Sequence, residues 1–471
     1  MLFNSLQFFI FIFILIPIFF QSSSKNQKRL LFYFSLYFYS CLKIVFVPLL
    51  FFSFLITHYT SLGIYSFPNK LYKKLFLYIN LFINLGLLVL FKYADFLRNI
   101  EYDFFNLIGL SNEVHPESLG FILPLGISFY TFQAIAYTVD VYRQKLIPEK
   151  KFFDFSLFLL FFPQLVAGPI MRASELIHQF NEKKYWNTDR VLIGLGIITL
   201  GYFKKTIIAD PIANLIQPIY SNPLHYNWIS NLTALFLFTI QIYCDFSGYS
   251  DIAIGTGKIL GFEIPKNFER PFLATSVTMT WRRWHISLSS WLKDYVYITL
   301  GGNRVSPLRN MFNLFLTTVI GGFWHGANWT FIIWGSINGF LNVVEKYFMD
   351  KNWDRFFDPI PKPMKILYSF LVFMMGAHFF RSDSVHSTFI SYKQIFSFAD
   401  GMDGEMFSLK IFVPVLVLIG YEVLEEIKIL SNIKNSNVFN YLKLPLYAGV
   451  LILCFMIYTV VSSPQFYYFQ F

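Results

Sequence analysis

Apolar residues in this chain gather into long continuous runs, near residues 6–20, 30–41, 42–64, 75–92, 121–139, 152–170, 191–209, 229–244, 311–324, 327–344, 366–380, 411–424 and 444–461. Inside a bilayer no water satisfies a backbone N–H or C=O, so such runs must close their hydrogen bonds internally as helices. A span needs about 20 apolar residues, and several runs fall short of that, so some should tilt or re-enter. We therefore expect an all-α, polytopic membrane protein with about a dozen membrane segments, some re-entrant or tilted. Of the 471 residues, 55% are hydrophobic and only 14% charged, well below the charge of a soluble domain. No repeat, low-complexity tract or separate soluble domain interrupts the pattern. The whole of 1–471 reads as one integral-membrane domain, with N-terminal helices over 1–120, a catalytic core over 121–345 and C-terminal helices over 346–471.

The formal net charge is +10. Its lysines and arginines sit in short loops, as the positive-inside rule requires, and nucleic acid is not an expected partner. Basic loops at Lys25, Lys28 and Arg29, at Lys70, Lys73 and Lys74, and at Arg143, Lys145, Lys150 and Lys151 alternate with an acidic segment carrying Asp95, Glu101, Asp103, Glu113 and Glu117. That alternation predicts cytoplasmic basic loops and an external N-terminus. The first apolar run lacks basic residues before it and a small-residue cleavage site, and reads as a retained helix. Cys41, Cys244 and Cys454 lie in or beside apolar runs without CxxC spacing, so neither a disulfide framework nor a zinc site is expected.

Ionisable residues at membrane depth are costly and mark function by default. Two histidines stand out. His325 lies in GGFWHGANW, where Gly321, Gly322 and Gly326 allow backbone or ligand to approach, and Trp324 and Trp329 suit a rigid wall. A histidine there suits a general base for an approaching hydroxyl; a buried histidine bonded across helices is the competing structural reading. His285 lies in WRRWHISLSSWL, where continuous helical spacing predicts Trp281, His285 and Leu288 on one face. Its functional reading is a second site group, orienting substrate or stabilising charge on a reacting carbonyl. The basic residues Arg282, Arg283, Lys293 and Arg304 suit phosphates of an acyl carrier, or anionic lipid headgroups. Asp245, Ser247, Tyr249, Ser250 and Asp251 follow an apolar run and read as capping and hydrogen-bonding groups at a helix end. GTGK at 255–258 lacks the spacing of a phosphate loop. Asn231 and Asn328 match the glycosylation pattern but lie near apolar runs. His58, His115, His178, His225, His378 and His386 show no metal-ligand spacing, and no metal site is expected.

Taken together, MLFNS at the start, LPLGISFYTFQAIAYTVDVYR at 123–143, FFPQLVAGPIMR at 161–172, IYCDFSGYSDIAIGTGKILGFEIPKNFERPF at 242–272, WRRWHISLSSWLKDYVYITLGGNR at 281–304, GGFWHGANWTFIIWG at 321–335 and the final YYFQF resemble the membrane-bound O-acyltransferase (MBOAT) family. Within it they are most similar to the branch that acetylates alginate. The likeness runs over nearly the whole chain in order. It implies helices ringed around a central tunnel, with acyl transfer, usually acetyl, to a hydroxyl. It makes His325 the essential catalytic residue and His285 the second, with Trp324, Asn328, Arg282, Arg283, Lys293 and Arg304 as candidate substrate-binding residues. The implied donor is acetyl-CoA or another acyl thioester from the cytoplasm, with no bound cofactor. The implied acceptor is an exported polysaccharide, reached through a periplasmic or extracellular partner, and the implied location is the bacterial inner membrane. Transfer of D-alanine to a cell-wall polymer, by another branch of the family, is the alternative; a transporter or an export scaffold is a third reading.

Overall fold

A computed structural model describes all residues except 2, 110–115, 352–357, 405–408, 430–436 and 461–471. His115, Glu113, Glu405 and the terminal YYFQF lie outside the described residues. The protein is helical, as its apolar runs require; among the described residues the one extended pairing is an isolated bridge between Tyr226 and Met402. Five helical stretches are long and apolar enough to cross a bilayer: Ile44–Ser66, Lys70–Leu107, Thr188–Ser221, Trp228–Leu260 and Lys362–Arg381. Leu6–Gln21 and Lys443–Cys454 are shorter apolar helices. By this criterion the described residues do not reach the expected dozen spans.

The chain forms two compact units, residues 1–187 with 260–264, and 188–259 with 265–470. The first contains α1 (Leu6–Gln21), α2 (Ser24–Lys43), α3 (Val47–Ser66), α4 (Lys70–Leu88), α5 (Ala94–Leu107), α6 (Ile127–Tyr142), α7 (Phe152–Leu160), α8 (Phe162–Leu165) and α9 (Ala173–Leu176). Its core is aromatic: Phe3, Phe8, Phe11, Phe38 and Phe162 pack ring against ring. Polar contacts between its helices include an ion pair, Lys28 on α2 with Asp154 on α7 at 3.1 Å, and a set of buried neutral groups. Ser53 on α3 donates to Asn84 on α4 at 2.5 Å, Asn80 reaches Thr57 and Thr60 at 3.3 and 3.2 Å, and Ser61 meets Thr138 on α6 at 3.2 Å. Such bonds tie helices together where no water competes. The chain breaks its helix beside Pro163: α7 ends at Leu160, α8 lasts one turn, and residues 155–171 are all buried.

The second unit begins with α10 (Thr188–Tyr202), which widens into a π-helical segment (Phe203–Ala209) and continues as α11 (Asp210–Ser221). Next comes α12 (Trp228–Leu260), 33 residues long. The sequence pattern ends this helix near residue 244; in the structure it runs on through Asp245 and Asp251. Those acids sit mid-helix, not at a cap, because lysines from the π-helical segment neutralise them. The short α13 (Val277–Arg283) and α14 (Ile286–Leu292) precede α15 (Pro307–His325) and α16 (Trp329–Asp350). These two pack closely: a Cβ on Gly322 would lie 2.5 Å from the Phe331 carbonyl oxygen and 2.8 Å from Gly335 Cα. After them come α17 (Lys362–Arg381), α18 (Val385–Phe396), α19 (Leu409–Glu426) and α20 (Asn437–Val460).

Candidate active site

The helix expected across 281–292 breaks at its histidine. His285 adopts φ 45° and ψ 53°, the left-handed region, between α13 and α14. A non-glycine residue there carries a strain of order 1–2 kcal/mol, so Trp281, His285 and Leu288 do not share one regular helical face. Neighbouring segments hold the break. The Ile286 N–H donates to the Asn267 carbonyl at 2.9 Å, and the Glu269 N–H donates to the Arg283 carbonyl at 2.9 Å. Upstream, Glu345 on α16 accepts from the Val277 and Thr278 N–H groups at 2.7 and 2.8 Å, fixing the start of α13. The carboxylate there also suits the positive end of the helix.

These anchors aim His285 at His325. The two rings lie 6.5 Å apart, centre to centre. His285 is 1% exposed and His325 5%. Phe246 packs edge-on against His285 at 4.6 Å, with Phe268 stacked at 6.4 Å. Trp324, Trp334 and Phe380 surround His325 at 5.0, 5.2 and 5.2 Å. Trp324 also reaches His285, at 6.2 Å. Burial pushes the His285 imidazole down to about 3, so that ring is neutral at physiological pH, because an apolar surround penalises the charged form. Two imidazoles inside one aromatic enclosure can take and return a proton with water excluded.

The structure brings His285, His325 and Trp324 together and distributes the other sequence candidates elsewhere. Asn328 is the N-cap of α16, accepting from the Thr330 N–H at 3.0 Å while its amide donates to the Asp383 carbonyl at 2.9 Å. Arg283 pairs with Glu426 at 3.1 Å. Arg282, Lys293 and Arg304 are exposed. Trp329, expected in the wall, is 49% exposed. It opens α16 and turns outward; Trp334, a turn and a half later, takes the wall position. The glycines around His325 serve helix packing: a Cβ on Gly321 would meet Leu292 at 2.9 Å, and one on Gly326 would meet the Phe331 ring at 2.1 Å. Asn231 is buried and donates to three backbone carbonyls, so it is no glycosylation acceptor.

A second polar cluster occupies this unit. Lys205 contacts Asp210 at 2.7 Å and Asp245 at 2.6 Å, and Lys204 contacts Asp251 at 2.9 Å. Tyr243 donates to Glu422. Arg270 binds Glu426 at 2.8 Å and Glu425 at 3.3 Å. His378 faces the Tyr220 hydroxyl at 3.3 Å and lines a small pocket with Asn231, Ser382, Ser387 and Ser391.

Sequence reasoning missed Asn267, Phe246, Trp334, Phe380 and Glu345. Only their positions in three dimensions join them to the histidines.

The chain is similar to known proteins. The model of the membrane-bound O-acyltransferase family matches residues 146–380, which include both histidines. A peptidoglycan O-acetyltransferase of Helicobacter pylori is 38% identical over 414 residues, covering 80% of this chain and 77% of that protein. A probable alginate O-acetylase AlgI of Pseudomonas putida is 37% identical over 411 residues, covering 84% and 81%. A teichoic acid D-alanyltransferase of Streptococcus thermophilus is 31% identical over 244 residues, covering 48% and 58%.

Proposed function

The chain belongs to the membrane-bound O-acyltransferase family, and from that premise we propose that it moves an acetyl group from a cytoplasmic thioester to hydroxyls of an exported polysaccharide. It is an O-acyltransferase and a membrane protein, so the transporter and scaffold readings are set aside. The observation that carries the proposal is the pair of buried histidines, 6.5 Å apart within one aromatic enclosure. His325 takes the proton of the acceptor hydroxyl as its oxygen attacks the thioester carbon. The new C–O bond forms, the C–S bond breaks, and the proton passes to the departing thiolate. His285 orients a reacting group. Trp324, Trp334 and Phe380 exclude water, which would otherwise hydrolyse the thioester.

The donor is acetyl-CoA or a related acyl thioester. The exposed Arg282, Lys293 and Arg304 offer its phosphates charge-assisted hydrogen bonds. The relatives' names point to carbohydrate polymers outside the cytoplasm, alginate in one case and peptidoglycan in another. The five long apolar helices support a multi-pass membrane protein, and we place it in the bacterial inner membrane, working with a periplasmic or extracellular partner. D-alanyl transfer ranks below acetyl transfer because the likeness to its enzymes covers about half of this chain.

The test is the acetyl ester content of exported glycans from a strain lacking the gene, complemented with wild type or His325→Ala at equal membrane levels. Restoration by wild type alone supports the reading and names the acceptor. Full restoration by His325→Ala removes it.

A further inference from the structure

We propose that Asn267 is a positioning residue that fixes His285 in the Nδ1-protonated tautomer, leaving Nε2 as the atom that accepts. The argument starts from a donor that has no alternative role. The Ser287 backbone N–H can only donate, and it faces one atom of the Asn267 amide at 3.2 Å. That atom is therefore the amide oxygen, Oδ1. The Ser287 hydroxyl donates to the same oxygen at 2.8 Å, and on the other side the Asn267 NH2 donates to Ser250 Oγ on α12 at 3.2 Å. The amide is thus held in one orientation from both ends, and it is 1% exposed.

His285 Nδ1 lies 3.2 Å from that same oxygen. An oxygen accepting from two donors cannot supply a proton, so Nδ1 must carry one. The second nitrogen of a neutral imidazole then bears the lone pair. Burial keeps the ring neutral. The Asn267 carbonyl also receives the Ile286 N–H at 2.9 Å, so one residue secures both the left-handed break and the ring that projects from it.

The consequence rests on the acyl-transfer reading. A lone pair on Nε2 cannot donate to the thioester carbonyl. His285 instead receives a hydrogen bond from a hydroxyl, so it orients the acceptor, not the donor. Carbohydrate acceptors carry neighbouring hydroxyls, one to lose its proton to His325 and another to be held by His285.

The experiment has two arms, both on the full chain in lipid nanodiscs. In the first, 15N-histidine labelling reads the protonation of each ring nitrogen without substrate, with His285 assigned by comparison with His285→Gln. We expect a protonated Nδ1 and a bare Nε2 in wild type, and a loss of that preference in Asn267→Ala. A proton on Nε2 in wild type overturns the proposal. The second arm measures acetyl transfer. Partners that orient metal-bound histidines are worth about 10- to 100-fold, and by the same physical logic Asn267→Ala should lower kcat by about that factor with KM for the donor little changed. Asn267→Asp keeps the accepting oxygen and should recover most of the loss, which a merely structural defect would not allow. Wild-type kcat in Asn267→Ala overturns the positioning role. The nitrogen spectra need no acetyl donor or acceptor, so failure of the acyl-transfer reading leaves the tautomer assignment separately testable.

Discussion

Helix α12 presents two polar faces that solve burial in opposite ways. One carries Asp245 and Asp251, closed against Lys205 and Lys204 at 2.6 and 2.9 Å. The other carries Phe246 and Ser250, which face His285 and Asn267. On the first face every cation meets a carboxylate. Such a cluster holds helices in register and resists change, because removing one charge strands another in a low-dielectric interior. On the second face nothing is charged. A neutral imidazole held by a neutral amide can orient a hydroxyl while the neighbouring His325 takes up its proton and gives it back. The difference separates a cluster built to stay fixed from one built to change state. It suggests that function should follow the histidines, and stability the lysines.

The largest expected effect falls on the histidine face. His325→Ala should lower acetyl transfer by about 10²- to 10⁴-fold, the usual worth of a general base. Thermal unfolding in detergent should fall by no more than the cost of the small cavity left among Trp324, Trp334 and Phe380. A large drop in unfolding temperature with residual activity would invert the comparison.

Next comes Lys205→Met. It leaves Asp210 and Asp245 facing each other, with both side chains 3% exposed. Breaking a buried pair typically costs about 3–5 kcal/mol. We expect a lower unfolding temperature, with partial recovery when Asp245→Asn is added. Wild-type stability together with lost transfer would move the lysine into the chemistry and erase the distinction between the faces.

How much of this the sequence exposed depends on the range of the interaction. Apolar runs report a local property, and the helical class followed from them directly. His285 and His325 stood out because a histidine among tryptophans and glycines is unusual over a few residues. The end of α12 was misplaced because Asp245 and Asp251 look like the edge of a span until Lys204 and Lys205, some forty residues earlier, are folded against them. The left-handed turn at His285 depends on the loop around Asn267, which pattern reading across 281–292 does not include. Asn267 itself gave no signal: an asparagine in a polar loop is ordinary until Ser250, Ser287 and His285 converge on it. Glycine was legible as a need for closeness, but not as closeness between α15 and α16 in place of a ligand.

That last point yields a smaller effect. Gly322→Val inserts methyl groups where a Cβ already falls 2.5 Å from the Phe331 carbonyl oxygen. Overpacking of this kind costs about 1–3 kcal/mol. Because α15 ends at His325, pushing it from α16 should also displace the ring, and we expect activity to fall more than stability does. Equal activity at reduced stability would show that the ring's position does not depend on this contact. In the first unit, Asn84→Leu removes a neutral interhelical bond of the kind worth about 0.6–1.7 kcal/mol in membranes. Unfolding should register that loss while transfer is unchanged, placing this network with the lysine cluster as architecture.

The smallest effect is expected at Cys244, one residue before Asp245 on α12 and 0% exposed. A covalent route would pass the acyl group to a thiolate before the hydroxyl, and Cys244 is the buried thiol on α12 itself. Reactive cysteines stand in partly exposed, electropositive surroundings, whereas buried ones are inert. Cys244 is fully enclosed, and burial disfavours its thiolate. Direct transfer therefore predicts that Cys244→Ala retains transfer within about twofold of wild type. Intact-mass analysis after incubation with acetyl donor alone should show no added acetyl group on the wild-type chain. An acetyl adduct that disappears in Cys244→Ala, with transfer lost alongside it, would carry chemistry onto the charged face of α12 and end the separation between a fixed cluster and a working one.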